Sequence, residues 1–222
     1  MTAPAALGVE DARRLERCLA AGGVAVFPAD TVYGLCCDPL NEEAVRRLYE
    51  LKGRPAERPA AVMFFALSSL LAVLSEIEPR ERAALAALLP GPVTLLLRNR
   101  RRRYPLAGSA GSDAGEGRSG NAPDTLGLRV PEWSPPLAAL GTVAMPVLQS
   151  SANLSGELDA RRLNDVPASI RAGADLVLDG GELPGVPSTV LDLREYERRG
   201  EWRIVREGPL GRAEVERILA SC

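Results

Sequence analysis

Apolar positions along the chain switch between helical and strand spacing, and the switches delimit its elements. Val9, Ala12, Leu15 and Leu19 recur at helical spacing as far as Gly22-Gly23, predicting an amphipathic helix over 9–21 with a glycine stop. VAVFP, Val24 to Pro28, follows as a short buried strand, and Ala29 to Leu40 is expected to be a loop. Asn41 can cap a second helix that carries Glu42 and Glu43 in its first turn and Val45, Leu48 and Leu51 on its apolar face. Ala60 to Phe65 is expected to be another buried strand, and Ser68 to Leu89 one or two helices broken near Pro79. Pro90-Gly91-Pro92 then turns into a strand over Val93 to Leu97.

Residues 99–124 change character, with four successive arginines at 100–103 and then a Gly/Ser/Asp-rich run. Such a segment is too long and polar for an ordinary connection and is expected to be a mobile insertion. Further strands are predicted at about 126–130, 145–149, 175–179, 189–193 and 202–205, and a closing helix at about 211–220. Strands alternating with helices in the first half imply crossover units, and the closely spaced late strands imply some antiparallel pairing. The expected class is therefore α/β, one domain over 1–222 with a mixed sheet flanked by helices.

Composition narrows the chemistry. The 222 residues contain no histidine, which removes Ser-His-Asp and Cys-His catalysis, histidine metal sites and imidazole acid–base steps together. A net charge of −2 requires any site for polyanions to be local. Cys18, Cys36, Cys37 and Cys222 form no C-x-x-C pair, so neither a zinc ribbon nor a disulfide framework is implied, and no metal ligand set is expected. The longest uncharged stretch, Trp133 to Gly156, is interrupted by Pro135, Pro136, Gly141 and Pro146 and is not expected to span a membrane. With no secretory signal pattern at the N-terminus, the expectation is a cytoplasmic protein.

Lys52 is the sole lysine among 27 basic residues, and a lysine kept where arginine is otherwise used suits a site needing a compact ammonium. LKGRPAERP places Lys52, Arg54 and Arg58 within seven residues. Three cations so close favour a multiply charged phosphate, although a basic last helical turn uses the same residues. SSANLSG, Ser150 to Gly156, offers hydroxyls, an amide and a glycine to a phosphate or nucleotide, or equally to a helix-capping loop. Neither a P-loop nor a Rossmann glycine motif is present. Four polar segments, Asp30 to Gly34, Lys52 to Arg58, Gln149 to Gly156 and Pro187 to Asp192, are expected at strand ends around one shared cleft.

Taken in order, FPADTVYGLCCDPLNEEAVRRLYELKGRP, LLPGPVTLLL, DTLGLRVP, SSANLSG, PSTVLDL and IVREG resemble the YrdC family of threonylcarbamoyl-AMP synthases across nearly the whole chain. The resemblance implies a single twisted YrdC-like domain that joins L-threonine, bicarbonate and ATP into threonylcarbamoyl-adenylate with release of pyrophosphate. It also implies Mg²⁺ with the ATP and hand-off to a transferase complex that modifies adenosine 37 of transfer RNAs. Longer members carry a further C-terminal domain, and the short, single-domain form is the one expected here.

By resemblance, Thr31, Arg129, Ser151 and Ser188 contact threonine. Lys52, Arg54, Arg58, Thr125, Asn153 and Arg206 contact ATP, with Lys52 and Arg54 as the catalytic cations stabilising charge on the leaving group. No general base is assigned. Ala29 stands where the family usually has a hydroxyl, Met63 where a histidine often sits, and Asp159 to Arg162 (DARR) where a Ser-Pro-Thr type segment is usual. Two other functions are open to the sequence. One is a paralogue with another carbamoyl or nucleotide substrate; the other is an RNA-binding module using Arg98 to Arg103 for a weak RNA contact.

Overall fold

A computed structural model describes residues 6–53, 60–108 and 125–222. Its strands are β1 (Ala25–Pro28), β2 (Tyr33–Cys37), β3 (Ala61–Met63), β4 (Val93–Arg98), β5 (Thr125–Arg129), β6 (Val147–Ser151), β7 (Leu176–Val177), β8 (Thr189–Asp192) and β9 (Arg203–Arg206). Among the described residues they form one sheet in the order β7-β1-β2-β6-β3-β5-β4-β8-β9. The pairs β1–β7, β3–β5 and β4–β8 are parallel and the other neighbours antiparallel. The sheet is mixed as expected, but every parallel pair joins strands distant in sequence, while β1 and β2, consecutive in the first half, run antiparallel.

The expected loop Ala29 to Leu40 therefore needs correction, because it contains β2. All five residues of YGLCC are buried, so the strand lacks the polar alternation that marks a half-exposed one. Pairing with β1 on one side and β6 on the other stabilises it. The strand predicted at 145–149 begins later, at Val147, directly after Pro146, which has no N–H to give a ladder.

Helices α1 (Val9–Ala20), α2 (Glu42–Lys52), α3 (Leu67–Val73), α4 (Pro79–Leu88), α5 (Pro105–Gly108), α6 (Ala168–Gly173), α7 (Tyr196–Arg199) and α8 (Arg212–Leu219) flank the sheet. α1 buries Ala12, Leu15 and Leu19, the stripe read from the sequence, while Val9 is exposed. Asn41 caps α2 as expected, its Oδ1 accepting from the Ala44 N–H at 3.0 Å. Pro79 starts α4 at the break expected in 68–89. A 3₁₀ segment over Pro135–Thr142, unpredicted, occupies part of the long uncharged stretch. Among the described residues no helix is long and apolar enough to cross a membrane.

Of the expected insertion, residues 99–108 are described, and 109–124 lie outside the described residues. Within 99–108, Asn99, Tyr104 and Ala107 are buried against the core. Asn99 and Arg103 exchange two hydrogen bonds of 2.7 and 2.8 Å, and Tyr104 is buried edge-on against Phe64. Three of the five arginines over 98–103 are engaged: Arg98 pairs with Glu195, Arg100 with Glu78 and Arg103 with Glu76, while Arg101 and Arg102 are exposed. The three compensated cations supply little of the field that attracts a polyanion.

Candidate functional site

Residues of one parity along a strand share one face of the sheet, and at the centre of this sheet that face is polar. Thr125, Gly127 and Arg129 of β5, Thr94 of β4, Gln149 and Ser151 of β6, and Ser188 just before β8 line a cavity of about 290 Å³. Arg206 of β9 and Asp159 complete its walls. The sequence placed the cleft beyond strand ends; it lies instead across the sheet face. The strand-end rule belongs to open parallel sheets, where loops gather at one carboxyl edge. In this mixed sheet five of the eight neighbouring pairs run antiparallel, so the carboxyl ends of the strands do not gather at one edge.

Two close approaches shape this face. A Cβ on Gly34 would lie 2.8 Å from Gln149 Nε2 and 3.1 Å from the Phe27 ring, so glycine in β2 leaves room for the Gln149 side chain. A Cβ on Gly208 would lie against the Thr189 backbone nitrogen and 2.6 Å from the Pro187 carbonyl oxygen, so glycine lets the IVREG turn close on the PST segment. That approach brings Arg206 to Ser188. Its Nε and Nη2 donate to the Ser188 carbonyl at 3.1 and 2.7 Å, and Nη2 also to Ser188 Oγ at 3.2 Å. Ser188 Oγ in turn lies 2.9 Å from Thr94 Oγ1.

Arg129 is the other guanidinium on the cavity wall, and its side chain is only 4% exposed. Its Nη2 donates to Asp30 and, at 2.7 Å, to Thr31 Oγ1. Burial pushes the Asp30 carboxyl above the usual range despite the opposing pull of Arg129. Asp30 Oδ2 and Arg129 Nε are buried without hydrogen-bond partners among the described residues. Thr31 is thus behind Arg129, one hydrogen bond from the cavity.

Lys52 and Asn153 lie beside the lining. The Lys52 ammonium, buried at the end of α2, donates to Asn153 Oδ1 at 2.7 Å, to the Asn153 carbonyl at 3.0 Å and to the Ser151 carbonyl at 2.5 Å. It therefore holds the turn after β6, whose Ser151 lines the cavity. Arg54 and Arg58 lie outside the described residues.

Of the residues singled out in the sequence, Thr125, Arg129, Ser151, Ser188 and Arg206 share the cavity wall. Thr31, Lys52 and Asn153 support it from behind. Sequence reasoning assigned no role to Thr94, Gln149, Asp30 or Asp159 individually, though Thr94 and Asp30 fall inside the six motifs, Gln149 opens the polar segment Gln149 to Gly156, and Asp159 opens the DARR segment. The DARR segment is tied down by Arg161 and Arg162, which both pair with Glu182. Among the described residues no group of three His, Cys, Asp or Glu side chains gathers as a metal site.

A family model described as Sua5_yciO_yrdC, telomere recombination, matches residues 17–208. Threonylcarbamoyl-AMP synthase of Pyrococcus abyssi is 32% identical over 200 residues, covering 89% of this chain and 54% of the relative. The Bacillus subtilis enzyme of that name is 30% identical, covering 88% of this chain and 53% of the relative. The chain thus spans about half the length of these two relatives. The crystal structure of P. abyssi Sua5 complexed with L-threonine superposes with a TM-score of 0.78 at 28% identity, over 96% of this chain and 58% of that one. Escherichia coli YciO, at 24% identity and covering 95% of that chain, shares the fold with a TM-score of 0.74. A match that takes in the β2 strand, the cavity wall and the IVREG turn alike leaves one conclusion: the chain belongs to the Sua5/YciO/YrdC family.

Proposed function

We propose that this chain makes L-threonylcarbamoyl-adenylate from L-threonine, bicarbonate and ATP with release of pyrophosphate, acting as a nucleotidyltransferase. The observation that carries this reading is the pair of guanidiniums, Arg129 and Arg206, facing one hydroxyl-lined cavity of about 290 Å³. Two cations on one small cavity call for anionic ligands, and a carboxylate together with a phosphate chain satisfies both. The relative solved with L-threonine supports assigning the amino acid to this face.

Arg129 receives the threonine carboxylate. Asp30 and Thr31 hold its Nη2, and its Nε lacks an acceptor that the substrate then supplies. Ser151 and Ser188 offer hydroxyls to the same substrate. Arg206 and Thr125 face the nucleotide, with Asn153 and Lys52 shaping the adjoining turn. Arg54 and Arg58 are proposed phosphate contacts by resemblance alone.

The neutral amine of threonine adds to carbon dioxide derived from bicarbonate to give the carbamate. A carbamate oxygen then attacks the α-phosphorus, and the bond to the β-phosphate oxygen breaks. Fixed guanidiniums lower the cost of charge developing on the departing pyrophosphate, and positioning supplies the rest, so no imidazole is needed. Magnesium, when bound with the phosphates, would neutralise part of that charge. Asp159, the carboxylate on the described cavity wall, is the residue that would help hold it. The product is proposed to pass to a transfer RNA threonylcarbamoyl transferase complex for modification of adenosine 37.

Incubation of purified chain with ATP, L-threonine and bicarbonate, followed by mass spectrometry, tests the reading. The adenylate should appear, and pyrophosphate release should require both threonine and bicarbonate. ATP turnover that proceeds equally without threonine would favour a paralogue with another substrate.

A further inference from the structure

We propose that Arg194 is a positioning residue for the nucleotide, fixing the Thr125 hydroxyl as a hydrogen-bond donor into the cavity; the inference rests on the ATP reading above. Thr125 stands between two cavities. It lines the central one and also a second, of about 470 Å³, whose wall includes Arg98, Asp192, Arg194 and Arg203. From that far side Arg194 reaches through to Thr125.

The geometry leaves Arg194 little freedom. Its Nε donates to Asp192 Oδ1 at 2.9 Å and its Nη2 to Asp192 Oδ2 at 2.7 Å, a two-point grip that orients the planar guanidinium. Arg203 Nε donates to the same Asp192 Oδ2 at 3.1 Å, which steadies the carboxylate. Arg98 Nε donates to the Arg194 carbonyl at 2.8 Å, which holds its backbone. The remaining nitrogen, Nη1, donates to Thr125 Oγ1 at 3.2 Å.

A guanidinium has donors and no acceptor, so Thr125 can only accept from it. The hydroxyl's own hydrogen must then find another acceptor, and none takes it among the described residues. Thr125 is only 6% exposed and borders both cavities; with Arg194 occupying its approach from the second, the hydrogen is directed to the central one. The nucleotide atom facing Thr125 must therefore be an acceptor, such as an unprotonated ring nitrogen or a ribose or phosphate oxygen. An amino group placed there would meet a donor and leave a buried hydrogen unpaired.

Calorimetric titration of the full chain with ATP and, separately, with L-threonine tests this on Thr125→Val, Thr125→Ser, Arg194→Met and the Thr125→Val/Arg194→Met pair. Thr125→Val and Arg194→Met should each weaken ATP about three- to tenfold, the size of one hydrogen bond. The double variant should be no weaker than Thr125→Val alone, Thr125→Ser should stay within about twofold of wild type, and threonine affinity should not move. If Arg194→Met does not fold, Arg194→Lys replaces it, since an ammonium cannot grip Asp192 at two points and reach Thr125 as well. Losses that multiply in the double variant, or an Arg194 variant with altered stability and unchanged ATP affinity, would overturn the assignment and leave the ATP reading intact. Wild-type protein that binds no ATP would overturn both.

Discussion

The Lys52 ammonium lies 2.7 Å from Asn153 Oδ1 and 3.0 Å from the Asn153 carbonyl oxygen, tying the end of α2 to the turn that follows β6. A compact cation fits among these acceptors, and a planar guanidinium with a longer reach does not. Lys52→Arg should therefore lose stability as well as turnover, and Lys52→Met should cost about 1.5–3 kcal/mol, the worth of a hydrogen bond to a charged group. Urea denaturation measures the loss. Wild-type stability and kinetics in Lys52→Arg would show that any cation suffices.

Arg129 and Asp30 form an ion pair in which both side chains are almost fully buried. Removing one partner strands the other charge, so Arg129→Met should destabilise by about 3–5 kcal/mol. Adding Asp30→Asn should recover much of that stability without restoring threonine binding. Denaturation curves and threonine titrations on the two variants separate the effects. Restored threonine affinity in the double variant would remove Arg129 from the carboxylate site.

Gly208 is packed against backbone that has no room to yield. Gly208→Ala should push the IVREG turn off the PST segment, separate Arg206 from Ser188 and weaken ATP at least tenfold. A crystal structure of the variant shows the displacement, and unchanged Arg206 geometry with unchanged ATP affinity would contradict it.

Asp192 ties stability to pH. Desolvation pushes its carboxyl up, but the bonds from Arg194 and Arg203 outweigh that and hold it below the usual range. A carboxyl depressed on folding contributes stability above its unfolded value, near 4, and loses it as pH falls through the folded value. Asp192→Asn should be less stable than wild type by about 1.5–3 kcal/mol at pH 7, with the gap closing below about pH 4. Denaturation at pH 7 and pH 3 measures both gaps, and equal gaps would show that the Asp192 charge is not the source.

The sequence by itself determined the elements whose signals are local. The apolar repeat of α1 and the Asn41 cap of α2 depend on residues within a turn or two of each other, and the structure has them where they were read. The six motifs likewise marked most of the cavity wall as residue types. Strand β2 was illegible because its five residues are buried by neighbours far away in the chain, and no local pattern records a partner on each side. Tyr104 and Ala107 were hidden in a polar segment for the same reason, since their burial depends on a core supplied by other elements. The tertiary structure also decided where the site lies. Only the strand order brings Thr94, Thr125, Arg129 and Ser188 onto one face, and that order is set by long-range pairing. The contact from Arg194 to Thr125 joins residues 69 positions apart. Such contacts depend on which strands lie side by side, which no spacing along the chain encodes.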